Sequence, residues 1–217
     1  MPTRVYLETS PKKVFACALD WPGWCRAGKD EGTALAALAD SAPRYAQVAG
    51  LAGAAFPDDA TEFEVFERIE GGSGTAFGVP SANASADRSP VTVIEAKRIA
   101  DLVSAAWATF DATRARSPGE LRKGPRGGGR DRDKMTAHVM EADTAYAYEL
   151  GRKHKAPAID DPAAIEALRE AILEVLREPS DGGPLAGRRW THRFAARLIA
   201  WHALDHAWEM EDRAEPA

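Results

Sequence analysis

The feature that most constrains the fold is the spacing of apolar residues after Pro90. Apolar side chains recur there at three- and four-residue intervals, which places them on one face of a helix. The first stripe follows Thr92-Val93-Ile94-Glu95, a capping-box pattern, and another follows Asp161-Pro162, which suits a helix start. The helices are expected around residues 92–110, 132–150, 161–176 and 191–213. Four consecutive amphipathic helices predict an all-α four-helix bundle over residues 91–217.

The first 72 residues show a different pattern. Two short stretches, Arg4–Glu8 and Lys13–Leu19, are rich in β-branched and aromatic residues and are separated by a turn signal. A helical pattern starts near Asp30, and alternation returns after Thr61, as in a half-exposed strand. The sequence therefore predicts a small α+β module of ββαβ order over residues 1–72. The Gly-, Ser-, Ala- and Pro-rich stretch 73–90 is predicted to be a linker.

Composition limits the classes of partner and the compartment. The net charge of -5 argues against non-specific binding to nucleic acid, which depends on neutralising phosphates. No apolar run approaches the roughly 18 residues that cross a bilayer, and the first residues lack the apolar core of a signal peptide. Cys17 and Cys25 form no CxxC motif, so a reduced, cytoplasmic setting is expected, with Cys17 in the core and Cys25 exposed.

The five histidines are the most informative polar residues. His202 and His206 lie four apart in "WHALDHAWE", so on a helix they project within about 40° of each other. His138 lies in the middle of another predicted helix, and three imidazoles converge if the two helices face each other. Two interpretations remain open, a metal site and polar residues packed inside a core. His154 and His192 are expected to be exposed.

Three imidazole ligands favour zinc, with nickel, iron, cobalt and manganese as alternatives. Such a ligand set leaves a coordination position open, as catalytic metal sites do. Asp205 and Glu209 follow on the same helix and are the candidate catalytic carboxylates, which would orient an imidazole N–H or carry a proton.

The segments "AHVMEAD", with His138, and "WHALDHAWE" resemble the DinB-like superfamily over about residues 91–213. Its members include mycothiol- and bacillithiol-dependent S-transferases and a mycothiol-dependent maleylpyruvate isomerase. The resemblance implies a metal-binding four-helix bundle in which His138, His202 and His206 are the ligands and zinc or nickel is the usual ion.

The first third resembles a different family. "FACALDWPGWCRAGKDEGTALAALADSA" is similar to the HicB-type module, whose pattern is a strand, an Asp-x-Pro-Gly turn and an Ala/Leu-rich helix. In antitoxins that module binds a small RNase partner. No DNA-binding segment follows it here, so the resemblance implies only that residues 1–72 share the fold of this module.

The glycine-rich loop, residues 121–134, reads "LRKGPRGGGRDRDK" and carries three arginines that are candidate anchors for an anion, Arg126, Arg130 and Arg132. Glycines let backbone amides approach a ligand closely, and arginine binds carboxylate or phosphate in a bidentate manner. The alternative is a surface connector in which neighbouring aspartates partly cancel the arginines.

These patterns support more than one function. The first is a metal-dependent enzyme, a thiol-dependent S-transferase or isomerase that uses a low-molecular-weight thiol and an anionic small-molecule substrate; metal-dependent hydrolysis is its nearest variant. The second is a non-enzymatic scaffold whose HicB-like module binds a partner, and the third is metal sensing or storage. No nucleic acid or membrane partner is expected. A homodimer, through the bundle or by strand pairing, is a further expectation.

Overall fold

The computed structural model describes residues 2–124 and 129–214. Within these residues the chain forms a four-stranded sheet and seven α-helices, with three strands at the start and the long helices in the second half. The strands are β1 (Thr3–Ser10), β2 (Lys13–Ala18), β3 (Cys25–Gly28) and β4 (Phe63–Glu70). The helices are α1 (Glu31–Asp40), α2 (Ala42–Leu51), α3 (Ser73–Phe77), α4 (Val93–Arg116), α5 (Arg132–Glu149), α6 (Pro162–Leu176) and α7 (His192–Ala214). The predicted mixed α+β class, with the sheet preceding the long helices, is confirmed.

The sheet has the order β3-β2-β1-β4. Neighbours β1 and β2 are antiparallel, whereas β1 and β4 are parallel. Helices α1 and α2 form the crossover that carries the chain from β3, at one edge of the sheet, to β4 at the other. Strand β3 was missed from the sequence, since it has only four residues after the Trp-Pro-Gly-Trp break. Gly23 in that turn has φ +91°, and a Cβ there would lie 2.8 Å from Leu204 of α7. A glycine is therefore required for the turn to lie against α7.

The four long helices pack in a closed ring, α4 against α7, α7 against α5, α5 against α6, and α6 against α4. Helix α4 starts with the predicted capping box, in which Glu95 accepts a hydrogen bond of 2.9 Å from the Thr92 amide. Helix α6 starts at Pro162, after Asp161 accepts from the Ala164 amide at 3.0 Å. The local signals at these two helix starts were therefore sufficient to predict them.

Helix α7 lies between the ring partners and the sheet. Trp201 packs edge-on against Phe15 of β2 at 6.1 Å, and Phe194 and Leu198 join the same apolar cluster with Tyr6 of β1. Most of α7 is buried, as expected for a helix with packed elements on several sides. His202 and His206 thus lie on a helix that packs against the other long helices on one face and against the sheet on another.

The stretch 73–90, predicted to be a linker, contains α3 and a 3₁₀ turn at Ser85–Arg88. Asp87 in that turn is buried and pairs with Arg197 of α7. The buried Glu8 of β1 accepts from the amides of Ser81 and Ala82 at 3.0 and 3.1 Å. One apolar core also includes residues of both the sheet and the long helices. The first third therefore packs on the helices, while the proposed boundaries at 72 and 90 stay a prediction.

The two cysteines face each other across β2 and β3, and the structure joins Cys17 and Cys25 as a disulfide. Both residues are buried, so the expectation of an exposed Cys25 was wrong. The sequence did not predict β3. Pairing of β3 with β2 places Cys25 opposite Cys17, in the apolar cluster that the sheet forms with α7. No helix in the described parts of the chain is long and apolar enough to cross a membrane.

Candidate metal centre

Three histidines from two neighbouring helices meet at one point. His138 is on α5, and His202 and His206 are one turn apart on α7. One ring nitrogen from each lies within 4.8 Å of the other two. The predicted convergence depended on α5 and α7 being neighbours, and the ring of helices makes them so.

The spacing of the nitrogens suits a single ion. The Nε2 atoms of His138 and His202 are 3.2 Å apart. Zinc–nitrogen bonds of about 2.0–2.1 Å at tetrahedral angles separate two ligand nitrogens by about 3.3–3.4 Å. The ring centroids are 5.0 Å apart for His138 and His202, 5.1 Å for His138 and His206, and 4.7 Å for His202 and His206. The His138–His202 pair therefore has the spacing of two ligands of one ion, and the ring of His206 lies close to both.

Burial favours neutral imidazoles at this point. His202 and His206 are buried and His138 is half-buried, so His138 is the most exposed of the three. Burial lowers the pKa of His138 and holds the pKa of His202 well below its ordinary value, with the charge of Arg130 contributing to both. A neutral imidazole has the free lone pair that a metal ligand needs.

Glu209 orients one of the three histidines. Its Oε2 lies 3.1 Å from Nδ1 of His206, which leaves Nε2 as the ring nitrogen available to an ion. Its Oε1 accepts a hydrogen bond of 2.7 Å from Nη1 of Arg213. The hydrogen bond with His206 is the main reason that the pKa of Glu209 is lowered, and Arg213 adds to it. The geometry favours an orienting role for Glu209, and the predicted catalytic role stays a prediction.

Asp205 contacts the sheet. Its carboxylate is 3.2 Å from Nη1 of Arg26 on β3, and burial raises its pKa. The guanidinium of Arg26 also lies 4.3 Å from the ring centroid of Trp208. This contact could not be expected from the sequence, because Arg26 and Asp205 are 179 positions apart. Its predicted role in catalysis likewise stays a prediction.

The three arginines of the glycine-rich loop differ in position. Arg126 lies outside the described residues. Arg132 donates to Asp133 at 2.8 Å and to the Ser117 carbonyl at 3.1 Å. Arg130 is exposed, and its charge acts on His138 and His202. Of the described arginines in this loop, Arg130 is thus the one whose charge reaches the histidine cluster.

Aromatic residues line one side of the cluster. Tyr146 of α5 meets His202 edge-on at 5.7 Å and packs against Trp190 at 5.3 Å. Neither residue was singled out in the sequence, where Tyr146 appeared as part of an ordinary helix. His154 is exposed as predicted, whereas His192 is buried, with its Nε2 2.8 Å from the Leu176 carbonyl, so the prediction for His192 was wrong.

The alternative of a packed polar core explains the cluster less well. A core histidine normally has its ring nitrogens hydrogen-bonded. Nδ1 of His202 is buried and has no hydrogen-bond partner among the described residues, while its Nε2 faces the Nε2 of His138. Two imidazole nitrogens that face each other, with a third close by, match a shared cation better than a set of satisfied polar groups.

No family model, curated protein or solved structure matches this chain.

Proposed function

We propose that the chain is a metal-dependent enzyme of the DinB-like type, with a divalent metal held by His138, His202 and His206. The convergence of three ring nitrogens within 4.8 Å, from two neighbouring helices, carries the proposal. Zinc is the first choice of ion because imidazole donors suit it, and nickel, iron, cobalt and manganese are the alternatives.

The reaction proposed is a thiol-dependent S-transfer or isomerisation. A bound zinc ion would supply Lewis acidity and hold a low-molecular-weight thiol as its thiolate. The protein residues around it have separate tasks. Glu209 keeps Nε2 of His206 directed to the cluster, and Tyr146 closes one side of His202. The half-buried side at His138 gives access to a small molecule.

The substrate class proposed is a small anion. Arg130 is exposed beside the open His138 side, and its positive charge acts on His138 and His202. Arginine pairs well with carboxylate and phosphate groups. Hydrolysis at the same site is the nearest alternative reaction, and it would proceed without an added thiol.

A scaffold function receives less support from the packing. The apolar core shared by the sheet and the long helices buries one face of the first third, so that face is not available to a partner. The HicB-like assignment of residues 1–72 therefore describes a proposed fold, with the module packed on the helices. Homodimer formation stays a prediction.

The test is the metal content of untagged protein, measured by mass spectrometry, with His138→Ala, His202→Ala and His154→Ala variants. His154 is exposed and lies outside the cluster, so it is the matched control. Near-stoichiometric metal in the wild type and in His154→Ala, lost in the other two folded variants, would support the site. No metal after reconstitution with zinc, nickel, iron or manganese would overturn the proposal.

A second measurement separates the reactions. Metal-loaded protein is incubated with an electrophilic anionic substrate, with and without a small thiol, and both the substrate and the free thiol are followed. Consumption of the thiol together with the substrate supports S-transfer, and isomerisation that requires the thiol without consuming it supports an isomerase. Substrate loss that is independent of thiol would favour hydrolysis.

A further inference from the structure

A chain of contacts leads from the metal ligand His206 to the glycine-rich loop. Glu209 contacts His206 on one side and Nη1 of Arg213 on the other, at 3.1 and 2.7 Å. Nε of Arg213 then donates a hydrogen bond of 2.6 Å to the carbonyl of Arg122 in the loop. One guanidinium thus contacts both the residue that orients a ligand and the backbone of the loop.

The loop is fastened to the end of α7 by further bonds. The amide of Arg122 donates to the Arg213 carbonyl at 3.0 Å, and its side chain donates to the Asp212 carbonyl at 2.7 Å. Carbonyls in the last turn of a helix lack partners within the helix. These bonds therefore give the carbonyls of Asp212 and Arg213 a donor, and they attach Arg122 of the loop to the end of α7. The guanidinium of Arg213 is itself largely covered, with its side chain 12% exposed.

Gly129, near the other end of the loop, also lies close to the Arg213 guanidinium. Its φ is +113°, and a Cβ there would lie 2.7 Å from three atoms of the Arg213 guanidinium. The backbone at Gly129 therefore lies close to that group, so a side chain there would displace the guanidinium and would also be strained by the positive φ. Arg130, whose charge acts on the histidines, is the next residue.

We propose that Arg213 is a positioning residue that holds the metal ligand His206, through Glu209, and the glycine-rich loop, at Arg122 and Gly129, in one arrangement. The inference rests on the proposed metal site and adds a residue that touches neither ion nor substrate. A planar guanidinium can serve both contacts at once because its N–H groups point in fixed, different directions. A lysine ammonium is a point charge and can keep the contact with Glu209 while losing the one with Arg122.

The experiment uses Co²⁺ alone as the probe, on the full chain. The dissociation constant is measured by competition with a chelator, and the visible absorption spectrum of bound Co²⁺ reports the ligand geometry. Arg213→Met is expected to weaken Co²⁺ binding on the order of tenfold and to change the spectrum, since supporting contacts around a metal ligand commonly contribute that much. Arg213→Lys is expected to fall between this variant and the wild type.

Two matched controls separate this role from general stability. Arg116→Met removes the pair between Arg116 of α4 and Glu211 of α7, and it should leave binding and spectrum unchanged. Gly129→Ala should weaken binding and alter the spectrum although it touches no ligand. Gly119→Ala, in the stretch leading into the loop, should do neither, because the nearest atom to its Cβ is 4.0 Å away.

The outcomes are distinguishable. If the wild type binds no Co²⁺, the proposed metal site fails and this inference fails with it. If the wild type binds and Arg213→Met gives the same affinity and spectrum, the site stands and the role of Arg213 is overturned. If Arg213→Met does not fold, Gly129→Ala decides, and wild-type affinity and spectrum in that variant would overturn the inference.

Discussion

The Nε2 atoms of His138 and His202 lie 3.2 Å apart, although 64 positions separate the two residues in the chain. This approach exists because α5 and α7 are neighbours in the ring of long helices. It also brings together two groups that burial keeps neutral, as shown by the lowered pKa of each histidine. The site is therefore a product of helix packing, and its supporting residues can be tested one at a time.

Glu209→Ala is expected to weaken zinc binding by about 10- to 100-fold, because the variant removes the acceptor for Nδ1 of His206. Glu209→Gln should have a smaller effect, since an amide oxygen can still accept that hydrogen bond. Zinc affinity is measured by competition with a chromophoric chelator. Glu211→Ala removes a carboxylate from the same helix that pairs with Arg116, and it is the control. Equal zinc affinities in Glu209→Ala and the wild type would contradict the orienting role.

Asp143 should make the stability depend on pH. It is a buried residue of α5 that lies 3.9 Å from Arg169 of α6, and burial raises its pKa from 3.8 to about 7. Both of its oxygens lack a hydrogen-bond partner among the described residues. Arg169 is already paired with Asp111, so the cation is shared. The stability from the protonated carboxyl is fully present below pH 3.8 and is lost as the pH rises to about 7.

The test is urea unfolding at several pH values between 5 and 8 for the wild type and Asp143→Asn. Relative to Asp143→Asn, the wild type should lose about 1–3 kcal/mol across this range, because only the carboxyl releases a proton. Asp133→Asn, on the same helix, is the control, since the exposed Asp133 has a lowered pKa and remains ionised throughout. Parallel pH profiles for the wild type and Asp143→Asn would show that the buried carboxyl does not titrate in this range.

The buried pair of Asp87 and Arg197 joins the 73–90 stretch to α7. Arg197 donates to Asp87 from two nitrogens and to the Tyr6 hydroxyl at 2.7 Å. Asp87→Ala is expected to lower the unfolding free energy by about 3–5 kcal/mol, because it leaves a buried guanidinium without its carboxylate. The double variant Asp87→Ala with Arg197→Met should recover part of this loss. A loss below about 1 kcal/mol in chemical denaturation of Asp87→Ala would contradict the prediction.

The disulfide between Cys17 and Cys25 should be detectable in the purified protein. Mass spectrometry after alkylation without reductant is expected to show no modified cysteine, and alkylation after denaturation with reductant should modify both. Closure of a loop with a separation of 8 residues should contribute about 2–3 kcal/mol to the unfolding free energy. Urea unfolding with and without reductant measures this contribution. Two alkylated cysteines in the denatured, unreduced protein would show that the bond is absent.

Features that depend on neighbouring residues were predictable. The capping box at Thr92 and Glu95 and the start of α6 at Pro162 are written in consecutive residues, and both helices begin there. The common side of His202 and His206 follows from the rotation of about 100° per residue in a helix. The contact of Glu209 with His206 spans three positions on the same helix, so the sequence could suggest it.

Features that depend on how elements pack were missed or left open. Strand β3 is too short to give a periodic signal, and without it the burial of Cys25 could not be expected. His192 was expected at the surface, but the C-terminal end of α6 packs there and places the Leu176 carbonyl 2.8 Å from Nε2 of His192. Arg26 meets Asp205 only because β3 packs beside α7. Each of these contacts joins distant parts of the chain, and the local residue pattern of one part does not predict which other part it will contact.

The helices of the second half and the common side of His202 and His206 follow from the sequence alone, because backbone hydrogen bonding and apolar periodicity act over one or two helical turns. The packing of the folded chain sets three further contacts: His138 lies next to these histidines, Arg213 pairs with Glu209, and Gly129 lies close to the same guanidinium. These contacts depend on which faces bury each other when the helices and the sheet pack into one core, and close packing admits few arrangements.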